Sequence, residues 1–467
     1  VSIDTKPQDQ QIASVKVSTN YLSLKEKIGY SLGDTASNIY FQTFMIFLLN
    51  FYTDVFGISA SAAGTMFLLT RIFDAVNDPI MGTIADHVNT RWGKFRPFVF
   101  FFAIPMAVMG VLTFSTPDYD ISGKLIYAYI TYNLLMIMYT IVNVPYSALM
   151  GVITPNSLER TELSSFRFVA AFAGGLIVQG STLWLVQYFG EGDNAVGWRW
   201  AMAVLGGLAI IFLFITFIST KERVHPPKDQ RPETKRDLKD LFSNKAWLLI
   251  AGATIFQLIF IVMRNSSILY YFKYYVLDQQ LSIFGSVINL NYETFTSSFL
   301  LTGTIFNILG VILTKWLSKT FDKKNTYVAC LFISSLLNAA VYFLKPSDVV
   351  LIYLFNIIIS FVWGPVSVLQ WAMYTDTADF SEWKNGRRAT GLLMAASLFA
   401  LKLGLTLGGA FVGYVLAYYG FIANQVQTAE TISGIIMLMS VYPAIFGFIG
   451  VALMMFYPLT NKMMFKI

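Results

Sequence analysis

An arginine, two aspartates and an asparagine stand within eight residues of one another in RIFDAVNDPIMG, residues 71–82, inside a run that is otherwise apolar. Asp74 and Asp78 are four residues apart, so on a helix they share one face. Asn77 lies beside them, and Arg71 sits one turn before Asp74. Pro79 has no N–H to donate, which frees the carbonyl of Ala75. Two carboxylates, an amide oxygen and a loose carbonyl are hard oxygen donors, the set that suits Na⁺ or a shared proton. Like charges this close repel in a medium of low dielectric, so a bound cation or proton relieves them. The competing reading is a structural ion pair between Arg71 and Asp74. One arginine cannot balance two aspartates, and this favours the cation site, with Na⁺ held by Asp74 and Asp78 if sodium is the coupling ion.

Other polar groups lie in similarly apolar surroundings. Asp34 and Asn38 are one turn apart in YSLGDTASNIY, where they can take hydrogen bonds from vicinal hydroxyls or simply mark a helix end. Thr140 and Asn143 precede Pro145, which is expected to kink its helix. Arg167 opens an apolar run, and its long side chain can snorkel to the membrane edge. Arg264 and Lys402 lie deep within theirs. A cation at that depth costs about 2.5–3.5 kcal/mol and needs a carboxylate or a polar substrate. Lys402 is expected to face a cavity and pair with an Asp in the empty protein. Arg264 reads equally as a structural pair or as the holder of an anionic group. Gln370, Trp371 and Tyr374 come before Asp376, Asp379 and Glu382. Their aromatics suit either sugar stacking or an interfacial belt, and the acidic cluster with Lys384, Arg387 and Arg388 suits a salt-bridge gate.

The elements that must carry these groups follow from composition. Of 467 residues, 55% are hydrophobic and 13% charged; soluble domains carry about 25% charged residues. Lipid is the better solvent for such a chain, and a helix needs roughly 20 apolar residues to cross it. Twelve runs qualify, near 28–52, 60–85, 98–117, 124–151, 165–189 and 198–219, then 246–276, 293–316, 326–344, 349–374, 391–419 and 432–458. The expected fold is all-α, with twelve transmembrane helices in two pseudo-symmetric six-helix bundles, 23–219 and 245–458. A polar leader (1–22), a basic linker (220–244) and a short tail (459–467) complete the chain. The leader has no apolar h-region and reads as cytosolic and disordered, not as a signal peptide. Lysines and arginines cluster on alternate loops, above all in the linker, which places both termini on the cytosolic side of a cell (inner) membrane. That distribution also makes nucleic acid a poor explanation of the net charge of +6. One cysteine and two histidines exclude a disulfide, a zinc cluster and Ser-His-Asp chemistry. Folds built from two such halves place the substrate near the midplane between them.

The stretches FYTDVFGIS, RIFDAVNDPIMG, TRWGKFRP, NVPYSALMGVIT and VLQWAMYTDTADFSEW, in this order and on the right spans, resemble the glycoside–pentoside–hexuronide:cation symporters. The resemblance runs from about residue 22 to near the end of the chain. It implies the major facilitator fold and cation-coupled uptake of a glycoside. Carried over by position, Asp74, Asn77, Asp78 and Thr140 match the family's cation site, Asp34 its sugar-hydroxyl acceptor, Lys402 its lysine on the eleventh span and Arg167 the arginine opening the fifth. Three positions depart from the family's galactoside pattern, which has an Asp at Asn143, a stacking Trp at Ser147 and a Lys at Gly33. Ser147 leaves room for a larger or differently shaped glycoside, and Arg264 raises a hexuronide.

The reading is therefore a secondary active transporter, not an enzyme: Na⁺- or H⁺-coupled symport of a sugar or glycoside, an oligosaccharide or uronide included, by alternating access. Asp74, Asn77, Asp78 and Thr140 hold the cation. Asp34, Asn38, Asn143, Ser147, Arg167, Arg264, Gln370 and Lys402 face the sugar. No cofactor is expected beyond the coupling cation, and no partner beyond substrate, cation and lipid; a functional monomer is expected. The rivals are an uncoupled sugar facilitator and a lysolipid-type carrier.

Overall fold

The computed structural model describes residues 22–154, 157–223, 241–283, 286–385 and 390–464. The polar leader, most of the basic linker, and Arg387 and Arg388 of the expected gate lie outside these residues, as does the side chain of Glu382.

Long helices follow one another through the chain, and eleven spans among the described residues are long and apolar enough to cross a membrane. The helix Ala60–His87 is not among these eleven, although its 28 residues are long enough to cross. In chain order among the described residues it stands second, after Leu24–Phe56.

The first span runs Leu24–Asn50 and continues as a π-helical turn, Phe51–Phe56, which Gly57 ends at φ +85°. Ser23 starts it by accepting from the Glu26 N–H. The third and twelfth spans are each interrupted. Helix Arg96–Phe101 gives way to Ala103–Thr113, and Ala429–Met439 to Val441–Met455. Pro105 and Pro443 explain both breaks, since each leaves the carbonyl four residues earlier, Phe101 and Met439, without its helical donor. The fourth span, Ile121–Ile153, by contrast stays helical through Pro145. The fifth and sixth are Ser157–Gly190 and Asn194–Ser219.

The second half comprises Lys245–Tyr271 with a π turn to Val276, Tyr292–Phe321, Lys323–Ala340, Val349–Asn385, Thr390–Tyr418 and the broken twelfth span. One feature departs from the all-α expectation. Between the seventh and eighth spans the chain forms a two-stranded antiparallel hairpin, Gln279–Ile283 with Ser286–Leu290. Its sequence, QQLSI and SVINL, is too short and too polar for a helix, and hairpin pairing satisfies its backbone groups instead.

After the second span, Glu222 accepts from the backbone N–H groups of Lys94, Phe95 and Arg96 at 2.8, 2.8 and 3.0 Å. One carboxylate from the end of the sixth span thus ties down the start of the third helix. Arg223 pairs with Glu26 at 2.7 Å, joining the same end to the first span.

The two halves meet through the second and eleventh spans, the fifth and eighth, and the first and seventh. At the end of the bundle away from the chain termini the backbones nearly touch. A Cβ on Gly413 would lie 2.4 Å from the Ala60 carbonyl oxygen.

Candidate functional site

The second span carries Arg71, Asp74, Asn77 and Asp78 to the interface between the halves. The Arg71 Nη1 lies 3.4 Å from Asp74 Oδ2. Thr140 reaches over from the fourth span; its hydroxyl oxygen is 3.2 Å from Asp78 Oδ1 and 3.5 Å from Asp74 Oδ1, and its single proton serves one of them at a time. Lys402 on the eleventh span forms a salt bridge with Asp78. Asp74 is buried, whereas Asp78 and Lys402 remain partly open. The Nδ2 of Asn77 is buried with no hydrogen-bond partner among the described residues. The charge count is thus two carboxylates against two cations, and the second cation comes from the opposite half. The sequence reading expects Lys402 to pair with an Asp but does not say which, because nothing local in it puts Lys402 beside position 78.

Asp34 of the first span receives a two-pronged contact from Arg167 of the fifth, Nε to Oδ2 at 2.6 Å and Nη2 to Oδ1 at 3.0 Å. The Tyr146 hydroxyl sits 2.7 Å from Oδ2. Its ring stacks on Tyr30, centroids 4.9 Å apart, and the Arg167 guanidinium lies over both rings. Arg167 therefore does not snorkel to the membrane edge; it neutralises Asp34. A carboxylate has about four acceptor sites, and these three contacts leave Asp34 capacity for one more donor at Oδ1. Asn143 turns away from this group: its Oδ1 accepts from Ser37 at 2.6 Å and its Nδ2 donates to the Tyr139 carbonyl at 3.1 Å. Ser147 is exposed.

A cavity of about 270 Å³ lies between the halves beside these groups. Asn38, one turn from Asp34, and Phe168, next to Arg167, line its first-half wall together with Gln42 and Gln179. The second half contributes Arg264, Asn265, Thr304, Asn307, Asn356 and Trp363. Arg264 is only 4% exposed. Its Nε donates to Asn338 at 3.0 Å and its Nη2 to Asn356 at 2.6 Å, and its guanidinium lies over the Phe299 ring.

Of the residues expected to face the sugar, Asn38 and Arg264 line this cavity, whereas Asp34, Asn143, Ser147, Arg167, Gln370 and Lys402 do not. Gln370 does not line the cavity: its Oε1 accepts from Gln257, whose own oxygen accepts from Tyr327, a buried chain within the second half. Asp376 pairs at 2.8 Å with Lys323 of its own half, so this pair does not lock one half to the other. Gln42, Gln179, Thr304, Asn307, Asn356 and Trp363 are absent from the residues that sequence reasoning selects. A signal is present, since Asn356, Ser360 and Trp363 follow i, i+4, i+7 spacing on an otherwise apolar helix and so mark one polar face.

A second cross-half cluster lies at the end away from the termini. Asp54 receives Lys273 and Tyr274 on Oδ2 and Thr53 on Oδ1. Lys273 also reaches Asn424 at 2.8 Å, and Asn424 donates to the Asp54 carbonyl. Thr53 and Tyr270 hydroxyls meet at 2.8 Å, and those of Thr65 and Tyr414 at 3.0 Å. Nothing local in the sequence marks Asp54 as paired, because its lysine and tyrosine partners lie more than 200 positions away.

Comparison with known proteins agrees with this geometry. The family model described as MFS/sugar transport protein matches residues 29–461. The chain is 40% identical to the Escherichia coli (strain K12) inner membrane symporter YicJ over 91% of its length and 89% of that protein. It is 39% identical to the putative glycoside/cation symporter YagG of the same strain, over 94% and 93%. It is 34% identical to the isoprimeverose transporter of Lactiplantibacillus pentosus, over 96% and 91%. Among solved structures, one from work on substrate recognition in proton dependent oligopeptide transporters superposes with a TM-score of 0.68 at 12% identity, covering 95% of this chain and 100% of that one. The chain belongs to the MFS/sugar transport family, and is a multi-pass membrane transporter.

Proposed function

We propose that this member of the MFS/sugar transport family is a cation-coupled sugar or glycoside symporter that works by alternating access. The observation that carries the proposal is the pairing of Asp78, on one half, with Lys402, on the other. Whatever cation takes the place of Lys402 at Asp78 also releases a bond between the halves. Na⁺ or H⁺ is that cation; Asp74, Asp78, the Asn77 amide and the Thr140 hydroxyl are its ligands. The sugar occupies the adjoining cavity, with Asp34 accepting from a hydroxyl through its remaining site and Trp363 offering an apolar wall. Both chain termini face the cytosol, and the Asp54 cluster closes the opposite, outer side. The arrangement of these contacts is that of a carrier closed to the outside.

Coupling of this kind is reciprocal, so the cation raises sugar affinity and the sugar raises cation affinity by the same factor, typically about 5–150-fold. The test is sugar binding to purified protein with and without Na⁺ and across pH, in wild type and Asp78→Asn. Binding strengthened by Na⁺ or by protons in the wild type alone supports the proposal. Sugar affinity indifferent to Na⁺, Li⁺ and pH refutes it.

The same ion pair favours one second reading. Since Lys402 already compensates Asp78, a carrier that never exchanges it for a cation would be an uncoupled facilitator. Counterflow without uphill accumulation under any cation gradient distinguishes that case.

A further inference from the structure

Where the fifth span meets the eighth, the Thr304 hydroxyl donates to the Oε1 of Gln179 at 2.6 Å. Both residues line the cavity between the halves. Among the described residues this is the one hydrogen bond that joins two cavity-lining side chains from opposite halves. Of the fifth-span residues in the lining, Gln179 stands nearest the Asp54 end, so the bond lies between the cavity and that closed end. The packing around it is close: a Cβ on Gly180 would touch Leu301 at 3.4 Å.

Thr304 uses its hydroxyl differently from its neighbours. Thr296, Thr302, Thr314 and Thr320 of the same helix each return theirs to the carbonyl four residues earlier, the common local option for a hydroxyl inside a helix. Thr304 donates to the other half instead. When the halves part, it can fall back on the Leu300 carbonyl as its neighbours do. Gln179 has no such local option. It is 6% exposed, and among the described residues it makes no other side-chain hydrogen bond. Gln257 and Gln370, by contrast, hold each other within one half.

We infer that Gln179 reads a substrate hydroxyl in the cavity and that Thr304 is its placeholder. With the outer side open, the amide faces the cavity and accepts from the sugar. With the outer side closed, Thr304 holds the same oxygen and little of the amide is left open. A buried amide without a partner is costlier than a hydrogen bond is favourable, so the oxygen passes from one donor to the other. A side-chain amide, with an acceptor oxygen and two N–H donors, also matches a hydroxyl that both donates and accepts. One consequence is that the protein grips the sugar about two- to tenfold less tightly once the outer side has closed, the worth of one such bond. The weaker grip eases release on the other side of the membrane. By linkage, the sugar favours the outer-open arrangement over the closed one by the same factor.

The inference rests on the proposed sugar-binding role of this cavity but not on cation coupling, so the test is run at saturating Na⁺ and fixed pH. Full-length purified protein is titrated with methyl β-xyloside, methyl β-glucoside and methyl α-galactoside, and the glycoside that wild type binds most tightly is the probe. In parallel, Thr53→Cys protein is labelled with a membrane-impermeant maleimide in the absence of sugar. Thr304→Val keeps the side-chain shape and removes the donor, whereas Gln179→Leu removes the amide. Both should raise the labelling rate several-fold, because both lose the bond between the halves. On the probe they should diverge: Thr304→Val binds it about two- to tenfold more tightly, and Gln179→Leu at least threefold more weakly. A mere tie between helices would change labelling and move the two affinities alike. Misfolding cannot mimic a gain in affinity, and Thr304→Ala is a second variant from which the same gain is expected. Labelling unchanged in both variants, affinities that move in the same direction, or affinities within twofold of wild type overturn the inference. If none of the three glycosides binds wild type, the sugar reading of the cavity falls and this inference with it. If binding is strengthened by Na⁺ but the variants do not diverge, this inference alone falls.

Discussion

Replacing Lys402 by Met tests the central exchange, because it removes the cation that competes at Asp78 while keeping an unbranched side chain. Two unit charges about 4 Å apart interact by about 4 kcal/mol at the effective dielectric of a protein boundary. The Asp78 and Lys402 side chains are 27% and 34% exposed, so solvent screening reduces this to about 1–2 kcal/mol. That corresponds to a factor of about 5–30 in an equilibrium constant. Lys402→Met is therefore expected to bind the coupling cation about 5–30-fold more tightly, measured by titration of the purified protein. Transport should respond differently in two assays. Exchange between loaded states, read as sugar counterflow at saturating cation, should persist. Net uphill uptake should collapse, since the unloaded carrier must return with Asp78 uncompensated. Unchanged cation affinity together with normal accumulation would refute the exchange of Lys402 for a cation.

Three further outcomes follow from particular contacts. Gly413→Val places side-chain atoms where the Ala60 carbonyl now lies, so it should prevent closure at the Asp54 end; a cysteine introduced at Thr53 should then be labelled by a membrane-impermeant maleimide several-fold faster than in the parent protein, against the low background expected from the sole cysteine, the buried Cys330. Asp54→Asn weakens the bonds to Lys273 and Tyr274 without adding bulk, and should raise labelling of the same cysteine while leaving equilibrium sugar binding within about threefold; an unchanged labelling rate would show that the cluster does not hold that end shut. Glu222→Ala deprives three backbone donors of their acceptor, and at about 1.5–3 kcal/mol for a hydrogen bond to a charged group, reduced where water can substitute, it should lower the melting temperature in detergent by several degrees.

The departures of the fold from sequence expectation share a cause. Pro105, Pro145 and Pro443 are equally visible in the sequence, yet only the first and last break their helices. Asp376 reads naturally with the basic residues that follow it, whereas its partner is Lys323, more than 50 positions earlier. Gln370 suggests a substrate contact because it is polar on an apolar helix, but that helix turns it toward Gln257 and Tyr327. In each case the residue type announces that a partner is needed and leaves open where the partner lies.

Much is nevertheless determined by the sequence alone. The excess of apolar residues over charged ones leaves lipid as the solvent, where backbone N–H and C=O groups are satisfied only in helices or closed barrels, and continuous apolar runs of roughly 20 residues select helices. The same excess makes each intramembrane charge conspicuous, which is why Asp34, Asp74, Asp78, Arg167, Arg264 and Lys402 stand out from composition and position. The short spacing of Asp74, Asn77 and Asp78 dictates their common face, since helix geometry relates residues one turn apart. Tertiary structure alone decides the pairings: Lys402 with Asp78, Arg167 with Asp34, Lys273 with Asp54, and Arg264 with no carboxylate among the described residues. Periodicity constrains only neighbours on one helix, while electrostatic partners in a membrane protein are chosen across helices, where low dielectric makes an unpaired charge expensive and packing determines which opposite charge is near enough to meet it.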